Sequence, residues 1–299
     1  MERTPKRAGR HPETKNTVLV VDANNVCHIA LHSMGELSFH DKRTGVIFGF
    51  FFRLLKLWEE FGSNRFVFCW DSRKRFRTHL YPEYKSNRQG VLPPEDWEAV
   101  HRQMTELRET VLPEFGFANS FLSTGYEADD LIASVILQYK EPEFGVISTD
   151  KDLYQILAVH ACRFIYNTVS GKRMTRELFE ETYGIPTHEW KRVKSICGDK
   201  SDFIAGVPGV GEKSAIDYVL GKLKGKRLAD VQAASAIIKR NLRLVELPLH
   251  WEGSPIILPP SLRADALNLD RMVDTFDAHG FRSFLKDAKF AKWKKFVNA

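Results

Sequence analysis

Nine carboxylates fall in short clusters along the chain: Asp22; Asp71; Glu127, Asp129 and Asp130; Asp150 and Asp152; Asp199 and Asp202. Hard oxygen donors of this kind suit Mg²⁺ or Mn²⁺ rather than zinc. Nine acids exceed the needs of one ion and point to a pair of ions about 4 Å apart, the arrangement that serves in-line hydrolysis of a phosphodiester. Taken singly, each cluster has an ordinary explanation. An Asp after a strand is turn chemistry or a helix cap, and acids in a first helical turn are favoured by the helix dipole. Three acids within Glu127–Asp130 nevertheless exceed what capping requires, and they would repel one another unless cations lay between them.

Basic residues follow Asp71 directly: Arg73, Lys74, Arg75 and Arg77, then Tyr84-Lys85-Ser86-Asn87-Arg88. A basic run is usually a solvated face, but this one should hang over the carboxylates. Lys85 and Arg88 would then bind the phosphate being cleaved, and Tyr84 would stack on a base. A second anion signal is Gly206-Val207-Pro208-Gly209-Val210-Gly211-Glu212-Lys213. Gly209 and Gly211 allow a tight turn with close backbone approach, and the next helix would offer free N–H groups to phosphate with Lys213 alongside. Glu212 stands before the lysine, so this is not a Walker A loop.

The elements must bring these groups together. Val18–Val21 runs into Asp22, Phe66–Trp70 into Asp71 and Phe144–Thr149 into Asp150. Continuous β-rich runs of this length suit strands buried on both faces. Between the first two, Val46, Phe50, Phe51, Leu54, Leu55, Trp58 and Phe61 recur at helical spacing; between the last two, Trp97, Val100, Met104, Leu107 and Val111 do so. A further helix is expected from about Ala128 to Tyr139. Strands alternating with helices imply a mostly parallel α/β sheet, whose strands deliver their carboxyl ends to one ligand-binding edge. Asp22, Asp71 and Asp150 should therefore meet. After about Thr187 strand signals fade into turns and helical patterns.

Bulk properties narrow the class. At 299 residues and 43% hydrophobic the chain can bury a large core, and its net charge of +6 is a modest hint of a polyanionic partner. Four widely spaced cysteines form no C-x-x-C pair, which disfavours zinc or a disulfide framework. The polar, basic first residues exclude a secretory signal and are expected to be a disordered tail over 1–16. The apolar stretch 45–61 carries Arg53 and Lys56 and is too short to span a bilayer. No membrane role is expected.

Taken with their order, the motifs Val21-Asp22-Ala23-Asn24-Asn25, Trp70-Asp71, Tyr84–Arg88, Gly125–Asp130, Ser148–Leu153, Gly198–Asp202 and the glycine turn resemble the 5′-nuclease family of phage flap endonucleases and the amino-terminal nuclease domain of bacterial DNA polymerase I. The resemblance spans roughly Thr17 to Leu220 and thins beyond. It implies a PIN-like core over 17–187 with a helical arch at about 75–112, and a helical DNA-binding region over 188–299. That region would hold a helix–hairpin–helix in which Gly209, Gly211, Lys213 and Lys194 meet duplex backbone and main-chain carbonyls hold K⁺. All nine acids would serve two Mg²⁺ ions, which Mn²⁺ can replace, with Lys85 and Arg88 beside Asp71 and Asp150 in catalysis. Implied substrates are DNA with 5′ flaps or free 5′ ends, and RNA primers. A free-standing, monomeric, cytoplasmic enzyme of a bacterial or phage-infected cell is expected. The stretch from Arg88 to Trp97 is short for a full arch. A non-catalytic junction binder would need degraded acid positions, and a toxin-like ribonuclease would lack the glycine turn.

Overall fold

A computed structural model describes residues 16–88 and 94–299. The expected basic tail, apart from Asn16, and residues 89–93 of the expected arch lie outside the described residues. The sheet is built from β1 (Val18–Asp22), β2 (Phe66–Trp70), β3 (Ser120–Leu122), β4 (Phe144–Ile147), β5 (Cys162–Asn167) and β6 (Lys172–Met174). Their order across it is β3-β2-β1-β4-β5-β6, parallel throughout except for the terminal β6. The three Asp-terminated runs thus occupy adjacent central strands. In register, Val21 lies beside Phe68 on one side and Ile147 on the other.

Alternation along these strands feeds two cores. Leu19, Val21, Phe66, Phe68 and Trp70 point to one, and Val18, Val20, Val67 and Cys69 to the other. Over the first face lie α1 (Ala23–Met34), α2 (Gly45–Phe61) and α4 (Pro94–Glu106); α3 (Phe76–Leu80) stands between β2 and α4. The α1–α2 contact is close because of Gly49, where an added Cβ would stand 2.6 Å from that of Ala30. All seven apolar residues that give α2 its helical spacing are buried. α4 runs on through a π turn, Leu107–Val111, to Phe115.

The second face is covered by α5 (Ala128–Gln138), α6 (Arg176–Tyr183), α7 (Trp190–Cys197), α8 (Glu212–Val219) and α9 (Gly225–Ala233). Between α7 and α8 come a two-stranded hairpin, β7 (Gly198–Asp199) with β8 (Ile204–Ala205), and the glycine turn. α10 (Ser235–Val245) packs on α7 and reaches α3.

Hydrophobic contacts do not follow the expected boundary at 187/188. The chain returns along β3, where Asn119 Nδ2 donates to the Arg263 carbonyl at 2.8 Å. It then adds α11 (Leu269–Ala278) and α12 (Asp287–Val297) to the first core, where Phe276, Trp293 and Phe296 pack against Phe51 and Phe115. Asn64, just before β2, donates to the Phe296 carbonyl at 2.9 Å. That puts the end of α12, with exposed Lys294 and Lys295, by the amino-terminal edge of the sheet, opposite the edge that carries Asp22. Among the described residues no helix is long and apolar enough to cross a membrane, and all four cysteines are free.

Candidate active site

The carboxyl edge of the sheet opens into a cavity of about 1120 Å³, lined by Asp22, Asp71, Glu127, Asp129, Asp150 and Lys85 among others. Each acid is fixed by the element that delivers it. Asp22 ends β1 and caps α1: one oxygen accepts from the Asn25 N–H at 2.9 Å, the other from the Ser148 hydroxyl at 2.9 Å. Asp71 leaves β2 and accepts from the Ala128 N–H at 2.8 Å, which binds that strand end to the first turn of α5. Asp150 follows β4 and accepts from the Asp152 N–H at 2.8 Å. Asn24 and Asn25 knit the strand exits together, Asn24 Oδ1 accepting from the Asp71 N–H at 2.9 Å and Asn25 Nδ2 donating to the Thr149 hydroxyl at 2.6 Å.

Charge divides this edge in two. In the first group burial and mutual repulsion act together: Asp22 is pushed up to about 7 by burial and then by Asp71, and Asp71 is raised by burial and by Glu127. Asp129 is driven well above the usual carboxylate range by burial, Asp150 and Asp22, and Asp150 is raised chiefly by burial. In the second group side-chain cations intervene. Burial of Glu127 is outweighed by Lys85 and Arg77, which hold it down to about 2; Lys85 Nζ lies 2.6 Å from its Oε1. Burial of Asp199 is likewise outweighed by Lys194 and Ser201. Lys194 sits between Asp199 and Asp152, 2.8 Å from the latter. Asp152 is still pushed up to about 7, by burial and by Asp150, because Lys194 offsets only part of that repulsion.

The expected residues thus fall into several places. Asp22, Asp71, Glu127, Asp129 and Asp150 share the cavity. Asp152 and Asp199 adjoin it around Lys194, and Asp202 reaches it through Lys85 at 3.6 Å and the Tyr84 hydroxyl at 2.9 Å. Asp130 is a correction. It is fully buried, its oxygens accept from Arg77 at 2.6 and 2.8 Å, and it also takes the Glu127 and Leu249 N–H groups. Its neighbour Asp129 faces the cavity because successive helical side chains diverge by about 100°. Tyr84 is a second correction: 5% exposed, its hydroxyl bridges Glu127 and Asp202, so its ring has no open face to offer a base. Lys194 is a third, engaged by two carboxylates rather than presented to a duplex. The side chain of Arg88 lies outside the described residues.

The glycine turn keeps its expected openness. Gly209 has φ +74° with nothing within 4 Å of an added Cβ, and Gly211, which caps α8, is equally unobstructed, beside exposed Lys213. Gly206 is required for the opposite reason, since a Cβ there would meet the Cys197 carbonyl at 2.2 Å. Sequence reasoning missed the parts played by Arg77, Asn24 and Ser148. Asn24 and Ser148 lie inside the Asp22 and Asp150 motifs, which is a signal, and Arg77 lies in the basic run, but it finds its partner 53 positions away.

The donor set fits hard divalent cations: oxygen ligands only, held on rigid strand ends, with repulsion that a cation would relieve. Among the described residues no three acids already close on one point, so an ion would have to draw the side chains inward.

A family model described as the 5′-3′ exonuclease, N-terminal resolvase-like domain, matches residues 17–184. DNA polymerase I of Mycobacterium leprae (strain TN) is 28% identical over 299 residues, covering 93% of this chain and 32% of that protein. The chain thus spans about a third of the length of such polymerases. A 5′-3′ exonuclease of Halalkalibacterium halodurans is 34% identical over 175 residues, 57% of this chain and 55% of that protein. Among solved structures, T5 5′-exonuclease with bound divalent metal ions (zinc) superposes with a TM-score of 0.64 at 22% identity, covering 78% of this chain and 90% of its own. The catalytic core of Rad2 in complex with DNA substrate gives 0.59 at 16% identity, covering 89% and 88%. At those identities the likeness is one of fold.

Proposed function

The chain belongs to the 5′-3′ exonuclease family, and we propose that it is a structure-specific 5′-nuclease that trims free 5′ ends and cuts 5′ flaps of DNA, RNA primers included. The observation that carries this reading is the meeting of Asp22, Asp71, Asp129 and Asp150 in one cavity with Lys85. Two Mg²⁺ ions, replaceable by Mn²⁺, would be held by those four acids, with Asp152, Asp199 and Asp202 acting through water in an outer shell. When bound, they would supply charge neutralisation and a nucleophile at neutral pH. The residues of the chain do the rest. Asn25 and Ser148 orient Asp22, the first turn of α5 orients Asp71, and Lys85 stands where a phosphate oxygen would need a donor. Glu127, held by Lys85 and Arg77, positions rather than coordinates.

On this reading residues 17–187 form the catalytic unit and 75–112 the arch over its mouth. The expected 188–299 region narrows to about 188–246, since α11 and α12 pack on the core. The glycine turn and α8 would act as a helix–hairpin–helix on duplex backbone, with K⁺ held by main-chain carbonyls. A monomer working in the cytoplasm of a bacterial or phage-infected cell goes with that role. The test is a labelled 5′-flap assay with a metal titration. Mg²⁺-dependent release of short 5′ fragments is expected. Binding without turnover in every divalent metal would leave a junction-binding protein, and neither binding nor cutting would end the reading.

A further inference from the structure

Phe203 is anomalous in two independent ways. Its φ is +57°, the left-handed region in which a bulky side chain is strained and glycine or asparagine is not. Its ring is also 47% exposed, one of the most open aromatic side chains of the molecule. The loop that carries it, between β7 and β8, has no need of a ring there. Asp199 Oδ1 accepts from the Ser201 N–H at 2.7 Å and the Asp202 N–H at 3.2 Å, and the Lys200 carbonyl accepts from Asn87 Nδ2 at 3.2 Å. An asparagine at 203 would close the same hairpin with less strain.

Position supplies the reason for an aromatic. The preceding residue, Asp202, accepts from the Tyr84 hydroxyl at 2.9 Å, and its carbonyl accepts from the Lys85 N–H at 2.9 Å. The hairpin tip is therefore pinned to the rim of the carboxylate cavity, and the Cα of Phe203 is about 3.8 Å beyond that of Asp202. Through this turn and into β8, Asp202 and Ile204 are buried, while Ser201, Phe203 and Ala205 are exposed, as is Lys200. An open ring beside Lys200 and one residue from Asp202, whose carboxylate meets the cavity-lining Tyr84 and Lys85, has the composition of a base-stacking platform.

We propose that Phe203 stacks on a nucleobase of the strand being cut, beside the scissile phosphate, and so helps to set which bond is cleaved. The assignment rests on the nuclease reading above. Flap DNA binding is measured in Ca²⁺ for wild type, Phe203→Asn and Phe203→Tyr, with and without an abasic nucleotide on either side of the cut. Phe203→Asn should raise Tm, because strain is relieved, yet weaken binding about ten-fold, equivalent to about 1.4 kcal/mol. It should also spread the cleavage position in Mg²⁺. Phe203→Tyr should resemble wild type. One abasic substitution should weaken wild type by a similar factor and leave Phe203→Asn unaffected. If Phe203→Asn binds and cuts like wild type, or the abasic change costs both proteins equally, the stacking role is overturned. A wild type that fails to cut the intact flap would instead overturn the nuclease reading itself.

Discussion

The two halves of the acidic edge differ in how their charge is met, and the contrast sets the acids proposed to hold metal ions apart from those paired within the chain. Asp22, Asp71, Asp129 and Asp150 are buried together, and among the described residues Lys85, Arg75 and Lys194 offset only part of the rise in their pKa values. Glu127 and Asp199 are as crowded but have their cations built in, as Lys85, Arg77 and Lys194. Asp130 is the extreme case, fully engaged by Arg77 and by the Glu127 and Leu249 N–H groups. A buried charge is tolerated only when paired. On the proposed function the first group would take its partner from solution, whereas the second already has one in the chain.

The sharpest way to break this comparison is to remove one acid from each half. Asp71→Asn or Asp150→Asn should slow flap cleavage on the order of a thousand-fold while leaving binding in Ca²⁺ near wild type. Asp199→Asn should cost only about ten- to a hundred-fold. Equal losses in single-turnover assays would erase the distinction. Next in size is the ion pair with no role in coordination. Arg77→Met strands the Asp130 carboxylate and should destabilise the fold by about 3–5 kcal/mol by urea denaturation. The double change Arg77→Met with Asp130→Leu should recover much of that loss.

The smallest effect is one of pH. Asp22 and Asp152, at about 7 in the folded protein, stand above the unfolded value of about 3.9. The folded state therefore binds more protons between those limits, and stability must fall as pH rises through that window. Glu127, at about 2, has the opposite sign. Its contribution is complete above the unfolded value of about 4.3 and is lost as pH falls below it. In EDTA, Tm should be higher near pH 5 than near pH 8, by about 2–4 °C for each kcal/mol involved. Asp22→Asn should flatten that slope, and Mg²⁺ should do the same. A metal-free protein that grows more stable from pH 5 to pH 8 would contradict the division.

Much of this edge was legible in the sequence because parallel strands carry a topological guarantee. Once Val18–Val21, Phe66–Trp70 and Phe144–Ile147 are strands of one sheet, the residues just past them share an edge. What could not be read was rotation and pairing. Asp129 and Asp130 are adjacent in sequence, and only the seating of α5 decides that one meets the cavity and the other meets Arg77. Tyr84 looked like a stacking residue because its neighbours are basic, yet its hydroxyl is drawn inward by Glu127 and Asp202. The return of α11 and α12 to the first core was hidden for a related reason. Their aromatics recur at helical spacing, but periodicity does not name the surface they cover.

That return has a consequence for how the protein is made. Phe51 and Phe115 are synthesised well before Phe276, Trp293 and Phe296, the residues that cover them, which emerge more than 150 positions later. At ~5–20 residues per second the ribosome leaves that aromatic layer open for several seconds after the sheet strands have appeared. A nonsense codon before α11 should therefore yield an aggregating product rather than a smaller folded protein.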